Sequence, residues 1–160
     1  MNSSLNAYVL AFSQHDHRQC ENTLLKTAQQ LCDQRAQRLT QRRRQVLQIL
    51  LRSHQPMGAY DVMQAMNEQE SGITPPIVYR ALDFLQQQGL VHRIESRNAF
   101  IPCSHPGHDR EAQFLICSNC QRVAEIEHQP LPAETQAQRL GFEVRHAIVE
   151  INGLCASCQQ

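Results

Sequence analysis

Hydrophobic residues in the first half of the chain recur at three- and four-residue spacing, which is the period of a helix with one buried face. The pattern predicts one helix from Thr23, one from Gln41, and two more over Ala59–Asn67 and Pro75–Gln88. Thr40 and Thr74 precede two of these helices and are residues typical of an N-cap. Pro75 suits a first helical turn, where an amide N–H has no partner anyway.

Two short strand-like segments follow the last of these helices. Leu90–Glu95 and Ala99–Cys103 alternate or cluster apolar residues, and Ser96-Arg97-Asn98 between them is typical of a turn. Three helices followed by a hairpin indicate a winged helix-turn-helix. In that arrangement Pro75–Gln88 is the recognition helix that enters the major groove of DNA.

The second half of the chain predicts a smaller α/β domain. Strands are expected over 113–116, 122–127 and 142–151, with a helix from about 133 to 140. The fold class is therefore α+β. The predicted organisation is a flexible tail over 1–22, a winged-helix DNA-binding domain over 23–102, a hinge loop over 103–111 and the α/β domain over 112–160.

Charge is balanced over the whole chain but not along it. Fifteen Lys and Arg residues equal fifteen Asp and Glu residues, which excludes a polycation that coats DNA through bulk charge. Between Arg35 and Arg52, however, six arginines occur without one carboxylate. A solvated helix exterior is the alternative explanation of such a run, but next to a winged helix the run favours DNA contact.

Four residues are the candidate DNA contacts. Tyr79 and Arg80 lie near the start of the predicted recognition helix, where Arg80 can pair with a guanine or a phosphate. Tyr60 can reach the backbone or a thymine methyl group, and Arg42 lies in the first turn of the basic helix. The alternative is that Tyr79 packs in the core and Arg80 is a surface charge.

Two Cys-x-x-Cys pairs lie next to predicted strand ends. Two thiolates at this spacing bind one side of a tetrahedral zinc, and a second pair completes a four-sulfur shell of Cys117, Cys120, Cys155 and Cys158. A closed shell leaves no position for water, so the pairs predict a structural zinc rather than a catalytic one. A thioredoxin-like site needs only one such pair, and a zinc deaminase needs a preceding His-x-Glu that the chain lacks.

A second group of potential metal ligands lies near the predicted junction of the two domains. It consists of His92, Cys103, His105, His108 and Glu125. Mixed nitrogen, sulfur and oxygen donors suit zinc better than magnesium or calcium. Each residue also has an ordinary explanation as a strand, core or loop residue, and spacing alone leaves both interpretations open.

These residues resemble the ferric uptake regulator family and, within it, the zinc uptake regulator branch. The resemblance covers roughly residues 24–158 and combines the recognition helix with the paired cysteine motifs. It is carried by LTQR (39–42), AYD (59–61), PPIVYRALDFL (75–85), GLVH (89–92), FLICSNC (114–120), RH (145–146) and GLCASC (153–158).

The resemblance implies a homodimer in which the C-terminal domain dimerises, with two zinc ions per chain. One is the structural zinc, and the other is a regulatory zinc bound by His92, Cys103, His108 and Glu125, with His105 and His146 in reserve. The implied function is a zinc-responsive repressor that binds an AT-rich inverted repeat in double-stranded operator DNA and controls zinc-uptake genes. The chain departs from the family pattern in the length of the loop over 104–112.

Other functions are alternatives. Iron- or peroxide-responsive members of the same family tend to use His, Asp and Glu at the hinge, so the soft thiolate of Cys103 favours zinc. A thiol redox switch at the Cys-x-x-Cys pairs is a further alternative, and we expect no enzymatic activity. The chain shows neither an apolar run of about 20 residues nor a secretory signal, which predicts a cytoplasmic protein without membrane or small-molecule partners.

Overall fold

The computed structural model describes residues 17–52, 55–107, 112–127 and 129–159. Within these ranges, four helices are followed by a two-stranded antiparallel wing. These elements are α1 (His17–Gln34), α2 (Gln41–Leu51), α3 (Ala59–Asn67), α4 (Pro75–Gln87), β1 (Val91–Ile94) and β2 (Ala99–Pro102). A 3-10 turn over Glu95–Arg97 joins the two strands. The order and pairing confirm the predicted winged helix-turn-helix.

The first helix begins earlier than the hydrophobic pattern indicated. Residues 17–22, which we predicted as part of a flexible tail, belong to α1, whereas residues 1–16 lie outside the described residues. The buried face of α1 includes Leu25, Ala28 and Cys32. The packed turns hold the helix, and each further turn at its N-terminus needs only local backbone hydrogen bonds. The start of α1 therefore has no apolar period from which it could be predicted.

Thr40 and Thr74 occupy the N-cap positions that the sequence predicts, and both have extended backbone angles. Neither side chain makes a capping hydrogen bond, which corrects the expectation that their hydroxyls start the helices. Their carbonyl groups instead accept the first intrahelical bonds, from the N–H of Arg44 and of Val78. In α4 the leading prolines also remove amide N–H groups that would need a cap.

The four helices and the wing share one hydrophobic core. Helix α4 packs against α2, α3 and β1. The centre of this core is formed by Val46, Leu50, Val62, Met66, Val78, Leu82, Leu85 and Val91. Met57 pairs with Phe100 on β2 through two backbone hydrogen bonds and so ties the wing to the segment before α3. The recognition helix and the wing therefore belong to one packed unit.

The C-terminal part contains a three-stranded sheet with the strand order β4-β3-β5. Its elements are β3 (Ala112–Cys117), β4 (Val123–Glu127), α5 (Pro132–Arg139) and β5 (Val149–Gly153), followed by a 3-10 turn over Ala156–Cys158. Strand β3 is antiparallel to β4 and parallel to β5. The strand predicted over 142–151 is thus too long, because residues 142–148 pair with no strand in the described part of the chain.

A second, smaller core joins the wing to this sheet. Ile94 and Ile101 from the wing pack with Phe114, Ile116 and Val123 from β3 and β4. Both wing residues are almost fully buried. The wing therefore packs on the helices through one core and on the C-terminal sheet through the other.

Candidate metal centres and nucleic-acid interface

The structure brings the two Cys-x-x-Cys pairs together. Cys117 ends β3 and Cys120 lies in the turn that follows, while Cys155 and Cys158 lie just beyond β5. Parallel pairing places Cys117 opposite Gly153, so both pairs emerge at the same end of the sheet. The sequence-predicted four-cysteine cluster is therefore a single cluster in space.

The geometry of this cluster fits zinc. The four sulfur atoms lie within 4.8 Å of one another, and the Cys120 and Cys155 sulfurs are 3.8 Å apart. A tetrahedral shell with Zn–S bonds of about 2.3 Å separates its sulfurs by about 3.8 Å. The backbone N–H of Cys155, with those of Cys120 and Asn119, lowers the pKa of Cys117 to about 6 and favours the thiolate that zinc binds.

A second cluster lies where the wing meets the C-terminal sheet. His92 comes from β1, Cys103 follows β2, and Glu125 comes from β4. Their candidate ligand atoms lie within 4.8 Å of one another. Glu125 Oε1 is 3.3 Å from His92 Nε2 and 3.7 Å from Cys103 Sγ. The Phe114 ring packs edge-on against the imidazole of His92 with the ring centres 5.3 Å apart.

One atom of this cluster indicates a missing partner. His92 Nε2 is buried and makes no hydrogen bond to any residue that the structure describes, although Glu125 is near. A buried polar atom without a partner costs about 1–3 kcal/mol, and imidazole nitrogen is a common zinc ligand. A thiol, an imidazole and a carboxylate around one point therefore fit a zinc ion, with room for a fourth ligand.

The protonation of this cluster reflects its burial. Burial and the neighbouring Glu125 carboxylate raise the pKa of the Cys103 thiol, so Cys103 donates to Glu125 Oε1. Burial alone would raise the pKa of Glu125. The nearby His92 ring and the Ser104 N–H, which donates to Glu125 Oε2 at 2.7 Å, outweigh burial and lower this pKa.

The remaining candidate ligands lie around the same cleft or outside the described residues. A cleft of about 620 Å³ opens beside the cluster, and both His105 and His146 line it. His105 is half-buried and His146 is exposed. His108, the loop ligand that the resemblance implies, lies outside the described residues. The structure thus gathers three of the four predicted ligands and leaves the fourth a prediction.

The predicted DNA contacts on the third and fourth helices face solvent. Tyr60 on α3 is 66% exposed and Tyr79 on α4 is 44% exposed, which are high values for tyrosine side chains. Arg80 is exposed as well. The exposure of Tyr79 removes the alternative that it packs in the core.

Three arginines of the arginine run make side-chain contacts with other residues of the N-terminal domain. Arg42 forms two short hydrogen bonds with Glu70, of 2.6 and 2.7 Å, and Arg43 lies 3.4 Å above the Phe84 ring. Arg35 donates to the carbonyl of Gln88. These three arginines thus make contacts within the N-terminal domain, so the paired Arg42 is a weaker DNA-contact candidate than Arg80.

Two groups that contact the second cluster could not be predicted from the sequence. The Ser104 N–H fixes Glu125, and the Phe114 ring fixes His92. A backbone N–H leaves no mark on the sequence, and Phe114 belongs to an apolar strand pattern that gives no sign of a neighbouring histidine. Only the packing of the wing on the sheet brings these groups together.

A winged-helix domain packed on a small sheet, with two metal-ligand clusters, defines a class of metal-binding winged-helix proteins. The chain matches the model of the ferric uptake regulator family over residues 34–152 and belongs to this family. This confirms the resemblance to the ferric uptake regulator family.

Individual relatives point to one branch of the family. The zinc uptake regulation protein of Escherichia coli strain K12 is 39% identical over 140 residues, which cover 84% of this chain and 81% of that protein. The zinc uptake regulation protein of Shigella flexneri gives the same values. Both are regulators by name.

Solved structures agree with this similarity. A zinc uptake regulator complexed with zinc and DNA has a TM-score of 0.81 at 37% identity, covering 87% of this chain and 95% of its own. A structure of holo XcZur has a TM-score of 0.77 at 37% identity, and the match covers 86% of this chain and 98% of that chain. A structure of apo XcZur has a TM-score of only 0.51 at 36% identity, and the match covers 88% of this chain and 98% of that chain. This chain thus has an arrangement closer to the holo form.

Among the helices of the described residues, none combines the length and the apolar character that crossing a bilayer requires.

Proposed function

We propose that this protein is a zinc-responsive transcriptional repressor that binds operator DNA as a zinc-loaded homodimer and controls zinc-uptake genes in the cytoplasm. The observation that carries this proposal is the cluster of His92, Cys103 and Glu125, which spans two domains and contains a buried nitrogen without a hydrogen bond to any described residue. The similarity to zinc uptake regulation proteins supports the same conclusion. No enzymatic role is proposed.

The proposal assigns two zinc ions to each chain. Cys117, Cys120, Cys155 and Cys158 hold a structural zinc that joins the ends of β3 and β5. His92, Cys103 and Glu125 hold the regulatory zinc with His108 as the fourth ligand and with His105 and His146 in reserve. When bound, this zinc supplies the positive charge that keeps Cys103 as a thiolate beside the Glu125 carboxylate.

The ligand positions explain how zinc affects DNA binding. His92 belongs to the wing, Cys103 opens the proposed hinge over 103–111, and Glu125 belongs to the proposed C-terminal domain over 112–160. The recognition helix packs on β1, so fixing His92 against Glu125 also fixes the direction of α4. Tyr60, Tyr79 and Arg80 then face the DNA, and a coupling of about 1–3 kcal/mol changes affinity about 5- to 150-fold.

Two observations support a dimer with two arrangements. Large exposed apolar side chains in the C-terminal part provide a surface for a second copy: Leu140, Phe142, Val144, Ile148, Ile151 and Leu154. The different TM-scores of holo and apo XcZur, at nearly equal identity, mean that one relative has two arrangements. A two-fold dimer with two recognition helices matches an inverted repeat, for which we propose an AT-rich sequence.

A single ligand favours a zinc-responsive regulator over the iron- and peroxide-responsive alternatives. Cys103 is a soft sulfur donor in the second cluster, and sulfur with imidazole suits zinc. A thiol redox switch would need the Cys-x-x-Cys pairs to be free of metal, whereas their four sulfurs converge on one point.

A selection experiment tests the proposed function. The zinc-loaded full chain is used to enrich duplexes from a random-sequence pool, and fluorescence anisotropy measures the affinity for the selected duplex at buffered zinc concentrations. We expect an AT-rich inverted repeat and binding that weakens as free zinc falls. Equal affinity with zinc and with excess chelator would contradict the proposal.

A further inference from the structure

A polar contact links the wing to the C-terminal sheet at a distance from the candidate metal ligands. The Glu150 carboxylate on β5 accepts hydrogen bonds from the backbone N–H of Glu95, at 2.6 Å, and of Ser96, at 3.1 Å. Both N–H groups belong to the turn that follows β1. Hydrogen bonds to an ionised carboxylate are stronger than bonds between neutral groups.

The register of the sheet aligns Glu150 with the second cluster. Phe114 on β3 pairs with Glu125 on β4 on one side and with Glu150 on β5 on the other. Side chains of directly paired residues lie on the same face of a sheet. Glu125, Phe114 and Glu150 therefore form one row across this face, and we call these three residues the wing-contact row.

Every member of the wing-contact row contacts the wing. Glu125 and Phe114 contact His92, and Glu150 contacts the backbone of Glu95 and Ser96. The outer strands of the row are about 10 Å apart, two strand spacings. Two contacts at this separation restrict the rotation of the wing, in addition to the apolar packing of Ile94 and Ile101 on the same sheet.

We propose that Glu150 is a positioning residue: its carboxylate binds the wing to the C-terminal sheet without metal, in the orientation that brings His92 to Glu125. The proposal rests on the regulatory zinc of the proposed function and adds a contact that needs no zinc. In the metal-free protein Glu150 then favours the arrangement that zinc selects, and it raises zinc affinity because less of the binding energy is used for ordering the wing.

Graded substitutions at Glu150 test this role in the full-length protein. Glu150→Ala removes both acceptors, and Glu150→Gln keeps one uncharged acceptor. The matched control is Glu143→Gln, because Glu143 is exposed and its ion-pair partner, Arg145 at 3.7 Å, belongs to its own segment. Chelator competition measures the affinity of each zinc, and NMR measures amide hydrogen exchange at Glu95 and Ser96.

We expect Glu150→Ala to weaken the titrating zinc about tenfold, which is the effect of one charge-assisted hydrogen bond. The Glu95 and Ser96 amides should exchange faster, Glu150→Gln should lie in between, and Glu143→Gln should match the wild type. The four-cysteine zinc and the melting temperature should change little, which separates positioning from a general loss of stability.

Unchanged zinc affinity in Glu150→Ala overturns the proposal, whether or not the two amides lose protection. If Glu150→Ala fails to fold, Glu150→Gln decides by the same two measurements. A wild-type protein without a titrating zinc contradicts the proposed function instead. In that case the amide hydrogen exchange of Glu95 and Ser96 tests the role of Glu150. Unchanged exchange in Glu150→Ala overturns its role in holding the wing.

Discussion

At the scale of single residues, the buried Nε2 of His92 is the most informative atom of the molecule. It lies 3.3 Å from a Glu125 oxygen but has no hydrogen-bond partner in the described residues, and it is next to the Cys103 thiol, whose pKa is raised by burial. Native proteins rarely leave such an atom unpaired, because the loss of hydration is not compensated. A bound zinc ion would satisfy the nitrogen, the sulfur and the carboxylate at once.

Replacing Cys103 with serine tests this cluster by changing one atom. We expect Cys103→Ser to weaken zinc-dependent DNA binding about 5- to 150-fold, because a hydroxyl is a poor zinc ligand and the coupling of about 1–3 kcal/mol is lost. Anisotropy with the selected duplex measures the effect. The four-cysteine zinc and the circular dichroism spectrum should stay unchanged and serve as internal controls, and full zinc dependence in the variant would refute the role of Cys103.

Replacing Arg80 tests the DNA-contact surface. We expect Arg80→Ala to weaken binding of the selected duplex by about 1–3 kcal/mol if the guanidinium contacts a base, with relaxed preference at one position. Arg80→Lys separates the two kinds of contact, since lysine keeps the charge for a phosphate but loses the paired hydrogen bonds to guanine. Unchanged affinity and salt dependence in Arg80→Ala would remove Arg80 from the interface.

At the scale of elements, the four-cysteine cluster joins two strands that come from distant parts of the sequence. β3 and β5 pair in parallel, and the cysteine pairs close the sheet at one end. The turn of the first pair also contacts the N-terminal domain, because Gln55 donates to the carbonyl of Cys120 and Arg97 to the side chain of Gln121. Loss of a zinc ion bound by this cluster would therefore affect more than the sheet.

Removing one sulfur of this cluster should disturb the C-terminal part first. We expect Cys120→Ser to lose the tightly held zinc, to lower the melting temperature and to weaken dimerisation, because structural zinc supplies folding free energy. Metal analysis, calorimetry and analytical ultracentrifugation measure these effects. A variant with wild-type stability and no zinc at this cluster would show that the ion is dispensable for the fold.

The elements also show what the sequence could predict. Helices α2 to α4 have a clear apolar period, and the cysteine spacing identifies the four-sulfur cluster without any knowledge of the fold. The early start of α1, the missing threonine caps and the short β5 depend on packing and backbone bonds that carry no local signal. The contact of Glu150 with Glu95 joins residues 55 positions apart and depends on the packing of the wing on the sheet, which no local pattern reveals.

At the scale of the whole molecule, the wing connects the helices of the N-terminal domain with the C-terminal sheet. Its strands contribute to the helical core and to the smaller core with Phe114, Ile116 and Val123. The second cluster and Glu150 contact the wing from the same face of the sheet. Packed elements therefore connect this face of the sheet with the recognition helix.

Dimer formation is predicted to depend on the exposed apolar surface. We expect Phe142→Asp to convert the dimer to a monomer and to weaken DNA binding strongly, because a charge in an apolar interface loses its hydration without a partner. Gln138→Glu, an exposed charge change on α5, is the control. Sedimentation velocity measures both, and a dimeric Phe142→Asp variant would place the interface elsewhere.

The most direct test of a zinc-responsive regulator is the number of zinc ions bound per chain across a series of buffered free-zinc concentrations. The predicted result is two equivalents, of which one stays bound throughout and the other titrates together with DNA binding. In Cys103→Ser the titrating equivalent should disappear. A single equivalent that never titrates would contradict the regulatory site and leave a DNA-binding fold with a structural zinc only.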